Sequence, residues 1–79
     1  MGSSTERREG DLDISQPGIR QIHGWIRDRR TVSIDLVSGD PINGVVRWVD
    51  LQFLAVEPAV GGELIMINRD AIVLIRAAL

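Results

Sequence analysis

The sequence predicts a mainly β domain in which one N-terminal helix precedes five antiparallel strands, bent strongly into a small open barrel. Three observations carry that expectation. Apolar residues recur at helical spacing as far as Ile26 and at every second position from Val32. Turn-forming clusters then divide the chain into runs of strand length with hairpin-sized connections. Gly44 interrupts the second of these runs, as glycine does in strands at a sharp bend or a close backbone approach. The 79 residues are enough for one core only.

Residues 1–13, MGSSTERREGDLD, are polar and aperiodic and are expected to form a disordered arm, leaving residues 14–79 as the domain. They lack the apolar stretch of a signal peptide, so a cytoplasmic location is expected. Pro17 suits a first helical turn, with Ser15 or Gln16 at the cap. Ile19, Ile22 and Ile26, with Trp25 beside them, form the apolar stripe of the helix. Gly24 weakens that helix by roughly 1 kcal/mol relative to alanine. Arg27, Asp28, Arg29 and Arg30 close it.

From Thr31 to Leu36 the period is two, with Val32, Ile34 and Leu36 on one face and Ser33 and Asp35 on the other. Ser38, Gly39 and Asp40 form a turn. Further strands are expected over residues 42–48, 51–56, 64–67 and 71–75, with Trp25 and Trp48 both in the core. The fourth and fifth are almost unbroken apolar runs without an internal charge, so a free edge on either would recruit another chain. Pairing the fourth strand of one copy with the fifth of the next closes both edges, and a closing rotation makes a ring. A symmetric dimer and burial within one sheet are alternatives that periodicity leaves open.

Composition narrows the chemistry. There is no cysteine and a single histidine, His23, so neither a disulfide framework nor a zinc site of the usual ligands is expected. No hydroxyl has a histidine at motif spacing, so a nucleophile lacks its base. No apolar run is long enough to span a membrane. The sequence therefore reads as a binding protein and not an enzyme, with no metal and no cofactor. All nine cations are arginine. Six of them face five acids within residues 1–30, and three face six acids within residues 31–79, for a net charge of −2. A nucleic-acid binder of ordinary strength is basic, so what remains for phosphate is the cluster Arg27, Arg29 and Arg30, interrupted by Asp28. At a helix C-terminus the same cluster also complements the macrodipole.

Three segments resemble the Sm-type motifs of the bacterial RNA chaperone Hfq. They are VSIDLVSGD at residues 32–40, INGVVRWVD at 42–50 and NRDAI at 68–72. The PGIRQI at 17–22, the Gly39-Asp40 pair and the RWVD at 47–50 resemble the cyanobacterial branch in particular. The likeness spans about residues 14–76. It implies an Sm-like fold, a homohexameric ring joined through strands four and five, and three RNA surfaces: a central pore on the helix face, the opposite face, and an arginine-lined rim. It also implies post-transcriptional regulation and a role in stress responses.

Carried over residue by residue, the resemblance implies a pore or helix-face site at Gln16, Gln52, Phe53, Asn68, Arg69 and Asp70, where the usual aromatic and histidine are replaced by Asn68 and Asp70. The family's Gln-Phe pair falls either on Leu51 and Gln52 or on Gln52 and Phe53. Arg69 offsets Asp70 or forms a local ion pair with it. On the opposite face the stacking tyrosine is replaced by Asp35, and Gly39 is kept. Arg27 and Arg29, with Arg30 adjacent, match the rim, which implies weak RNA binding carried there. A second function follows from the branch: a protein hub, with Ile19, His23 or Trp25 exposed on the helix, docking the C-terminal tail of a type IV pilus extension ATPase involved in motility. Neither DNA nor a membrane is an expected partner.

Overall fold

In a computed structural model, which describes residues 15–78, one helix precedes a five-stranded antiparallel sheet that is not closed. The arm expected over residues 1–13 lies outside the described residues. Helix α1 is Pro17–Asp28, and the strands are β1 (Thr31–Leu36), β2 (Pro41–Val49), β3 (Phe53–Pro58), β4 (Ile65–Asn68) and β5 (Ile72–Ala77). A 3-10 turn, Arg69–Ala71, joins the last two. The sheet order is β4-β3-β2-β1-β5, so the two late apolar strands are its two edges.

Gln16 is the N-cap of α1, and Pro17 occupies the first turn, where a missing N–H costs nothing. The stripe read from the sequence is the buried face: Ile19 is buried, while Ile22, Trp25 and Ile26 pack against the sheet's core. That core is Val32 and Ile34 of β1, Val46 of β2, Leu54 and Val56 of β3, and Ile67 of β4, which alternate along their strands onto one face.

Two departures from simple alternation shape the other face. In β2, Val46 opposes Val56 but Trp48 opposes Ala55, so Arg47 is an extra residue, a β-bulge. One inserted residue exchanges the faces of everything after it. Trp48, expected in the core from uninterrupted alternation, is instead 38% exposed, and Val49 takes the inward place against the core. Strand β3 starts at Phe53 and not at residue 51, because Leu51 and Gln52 belong to a turn organised by Asp50. The edge strands send Ile67, Ile72 and Ile75 to the core and leave other apolar residues outside: Met66 is 52% and Val73 61% exposed.

Gly44 of β2 pairs with Pro58 of β3 and leaves no room for a side chain. A Cβ built there meets the Glu57 carbonyl oxygen in severe overlap and the Val56 Cγ1 at 2.7 Å. The obstruction is mostly backbone, so it cannot rotate away. The Gly44→Ala protein is expected to lose on the order of 1–3 kcal/mol of stability, the usual cost of overpacking a filled core. Urea unfolding against wild type checks this, and an unchanged midpoint would show that the β2–β3 contact yields easily.

Candidate functional site

Three clusters of polar side chains lie on this frame. The first is the corner where α1 ends and β1 begins. Arg29 closes the helix in the left-handed conformation, with φ 55°, and its N–H donates to the Ile26 carbonyl at 3.2 Å. The Arg30 N–H donates to the Trp25 carbonyl at 3.0 Å. This is a position that glycine ordinarily takes, because a Cβ is strained there. Arg29 is the one non-glycine residue with positive φ among the described residues. The side chains of Arg27, Arg29 and Arg30 are all exposed, and the nearest acid, Asp28, is 3.6 Å from the Arg27 Nε. An open groove of about 420 Å³ runs back along α1 between Arg27 and Arg30 at one end and Pro17 and Arg20 at the other. Arg20 is a cation the sequence reading left out. Its spacing of seven from Arg27, two helical turns, was the available signal.

The second cluster joins two turns. The Asp50 Oδ1 accepts from the N–H groups of Gln52 at 2.9 Å and Phe53 at 2.7 Å. The Arg69 guanidinium donates to the Asp50 carbonyl at 2.7 Å, and the Arg69 N–H donates to the Gln52 carbonyl at 2.8 Å. Phe53 pairs with Asn68, whose side chain accepts from the Asp70 N–H at 2.8 Å. Gln52 and Phe53, not Leu51, are thus the pair brought against Asn68 and Arg69. Phe53 is half-buried and Gln52 exposed. The ion pair considered between Arg69 and Asp70 does not form, because Arg69 turns to the Asp50 carbonyl and leaves Asp70 exposed. Gln16 stands at the start of α1, with its carbonyl accepting from the Arg20 N–H at 3.0 Å. It is about 18 Å of helix away from the arginine corner.

The third cluster is on the face opposite the core. Asp35 is half-buried, with its Oδ2 3.8 Å from an Arg76 nitrogen. Gly39 has φ 95° in the turn between β1 and β2, and its N–H donates to the Leu36 carbonyl at 2.9 Å. The turn therefore accounts for this glycine. Of the helix residues expected as protein-docking anchors, Ile19 is only 5% exposed, because its position in the apolar stripe turns it onto the sheet. Trp25 is half-buried on the same stripe. His23 alone of the three is exposed.

The family model described as Hfq-related matches residues 16–77. The chain belongs to the Hfq-related family. It is similar to the crystal structure of an Hfq protein from Anabaena sp., with a TM-score of 0.70 and 31% identity over 78% of this chain and 97% of that one. A second solved structure, described as the pleiotropic translational regulator Hfq, shares the fold with a TM-score of 0.70 at 15% identity, covering 76% of this chain and 97% of that one. No curated protein matches. Membership places this Hfq-related chain among RNA chaperones and not among enzymes. No helix among the described residues is long and apolar enough to cross a membrane.

The Asp50 carboxyl is lowered from its ordinary value because the Phe53 and Gln52 N–H groups hold its charged form, with desolvation opposing them and the Arg69 charge adding the least. A lowered folded-state value means that the stabilisation is present above the unfolded value and is lost as pH falls through the folded one. Unfolding midpoints measured from neutral pH into the acid range should therefore fall more for wild type than for Asp50→Asn, which has no charge to lose. At neutral pH the Asp50→Ala protein should be less stable than Asp50→Asn, which keeps an acceptor. Parallel acid profiles for wild type and Asp50→Asn would contradict the charge assignment.

Proposed function

We propose that this chain is an RNA-binding post-transcriptional regulator of the Hfq kind, acting as a homohexameric ring in the cytoplasm and holding RNA weakly, chiefly through Arg27, Arg29 and Arg30. The observation that carries the reading is the αL arginine at the end of α1. A residue held in a backbone state that glycine would occupy at less cost is a candidate for a role outside folding. Its neighbours Arg27 and Arg30 are exposed on the same corner, and guanidinium groups there contact phosphates with little base selectivity.

Ring assembly is supported by the edges. β4 and β5 end the sheet on opposite sides, both antiparallel to their inner neighbours, and both expose apolar residues that a second strand would cover. The weakness of the other two RNA surfaces is supported by their acids. Asp70 is exposed beside Asn68, and Asp35 stands with Arg76 where a stacking ring would be needed. The competing reading, a hub for the tail of a pilus ATPase or another protein, keeps only His23 as a freely exposed anchor of those considered on α1.

The test is binding of fluorescent uridine-rich and adenosine-rich RNA at two salt concentrations, with ring mass measured by light scattering. The Arg27, Arg29 and Arg30 triple alanine protein should lose about tenfold or more in affinity at low salt and show a shallower salt slope, since each lost phosphate contact removes ~0.7 from it. Arg29→Gly separates binding from folding. It should raise stability by roughly 0.5–1 kcal/mol, as relief of αL strain does, while weakening RNA binding. An intact ring that binds neither RNA would remove this reading in favour of the protein hub.

A further inference from the structure

Gly24 stands in the interior of α1, where glycine costs roughly 1 kcal/mol relative to alanine. Nothing among the described residues demands it. A Cβ built there meets only an Arg27 guanidinium nitrogen, at an ordinary 3.6 Å. The missing side chain instead leaves a dip part-way along the groove on α1, with the half-buried Trp25 beside it, Arg20 towards one end and Arg27 and Arg30 at the other. All three arginines are exposed, and the one acid lining the groove, Asp28, lies 3.6 Å from the Arg27 Nε. A local rule broken with no gain in folding is the mark of a place that something else is to approach. The groove opens at Pro17, and the chain that leads into Pro17 carries Glu9, Asp11 and Asp13 with no cation among residues 9–16.

We propose that residues 9–14, EGDLDI, fold back along α1 and occupy this groove, with Asp13 against Arg20, Glu9 against Arg27 and Arg30, and the backbone at Gly10 passing over Gly24. Spacing, reach and tethering choose this occupant. In an extended chain alternate residues share a side, so Glu9, Asp11 and Asp13 form one acidic row. With Ile14 to Gln16 as the turn, Asp13, Gly10 and Glu9 lie ~3, ~13 and ~16 Å back along the helix at ~3.3 Å per residue. Arg20, Gly24 and Arg27 lie ~4.5, ~10 and ~15 Å from Pro17 at ~1.5 Å per residue, so the two rows match. Because the segment enters at the end of the groove, its contacts form within one molecule, and ion pairs that are individually weak then hold it. A polyanion from outside meets the same arginines without that advantage. Held there, the segment screens Arg20, Arg27 and Arg30 from other anions.

The chain has no cysteine, so Gly10→Cys supplies a single thiol for a nitroxide, and Trp48→Phe leaves Trp25 as the only tryptophan. In this otherwise unaltered chain the nitroxide should quench Trp25 emission at low salt, because such quenching needs near contact. Each labelled protein is compared with its own unlabelled form, so any change in the surroundings of Trp25 cancels. Glu9→Gln, Asp11→Asn and Asp13→Asn together should lower the ratio of docked to free segment about fivefold or more, as loss of two exposed ion pairs does, and quenching should fall with it. Added salt should relieve quenching in the acidic chain and change little in the neutralised one. Arg20→Gln with Arg27→Gln should reproduce the loss from the other side of the contact. Absence of quenching, or quenching that neither salt nor neutralised acids relieve, overturns the proposal and leaves the groove to another occupant. No RNA enters the experiment, so its outcome is separate from that of the reading above.

Discussion

The fold depends on β2 approaching β3 at Gly44 more closely than any residue with a Cβ permits. β2 is the longest strand and the central one, pairing with β1 on one side and β3 on the other, and α1 packs on it. At Gly44 it pairs with Val32 on one side and Pro58 on the other, and three residues later it gains the bulge at Arg47. Close approach and bulge both increase the local coiling of a sheet. The strand that organises the core is thus also the one that sets where the charged corner, the exposed tryptophan and the Asp50 turn lie relative to one another.

The Asp50 turn shows how a small domain holds a loop without burying it. Its carboxylate is open to solvent, yet it satisfies two successive backbone donors, and its carbonyl receives the guanidinium of a residue from the next connection. The β2–β3 and β4–β5 connections are therefore tied to each other and not only to their own strands. Arg69, which looks from the sequence like a cation free for a ligand, spends part of its donor capacity on that tie. A phosphate reaching this turn has to compete with the Asp50 carbonyl and stand near Asp70.

The helix, the number of strands and the turns after β1 and β3 were legible in the sequence because each rests on local periodicity or on residues with few conformational choices. Pro17, Gly39 and the alternation Val32, Ile34, Leu36 stand where such residues stand for stated physical reasons. Trp48 was not legible. Nothing in the RWVD segment marks Arg47 as a bulged residue, and without the bulge strict alternation sends the indole inward. Ile19 failed for a related reason: the stripe identified it as apolar, but which apolar residues of a helix stay accessible is decided by the sheet it meets. The family motifs located the second cluster to within one residue, and the hydrogen bonds then brought Gln52 and Phe53, not Leu51, against Asn68.

A chain of net charge −2 can still attract a polyanion if its cations are near the contact and its acids are elsewhere or neutralised. Screening at physiological salt limits each exposed charge to about 8 Å, so the local inventory matters and the total does not. Around the end of α1 that inventory is Arg27, Arg29 and Arg30, with Asp28 occupied by Arg27. Asp40 and Asp70 lie in the turns that follow β1 and β4, and Glu63 stands between Gly62 and Leu64 on the groove that Arg47 lines. Separation of charge by fold element, enforced by the short α1–β1 corner, is what lets an acidic protein present one cationic edge.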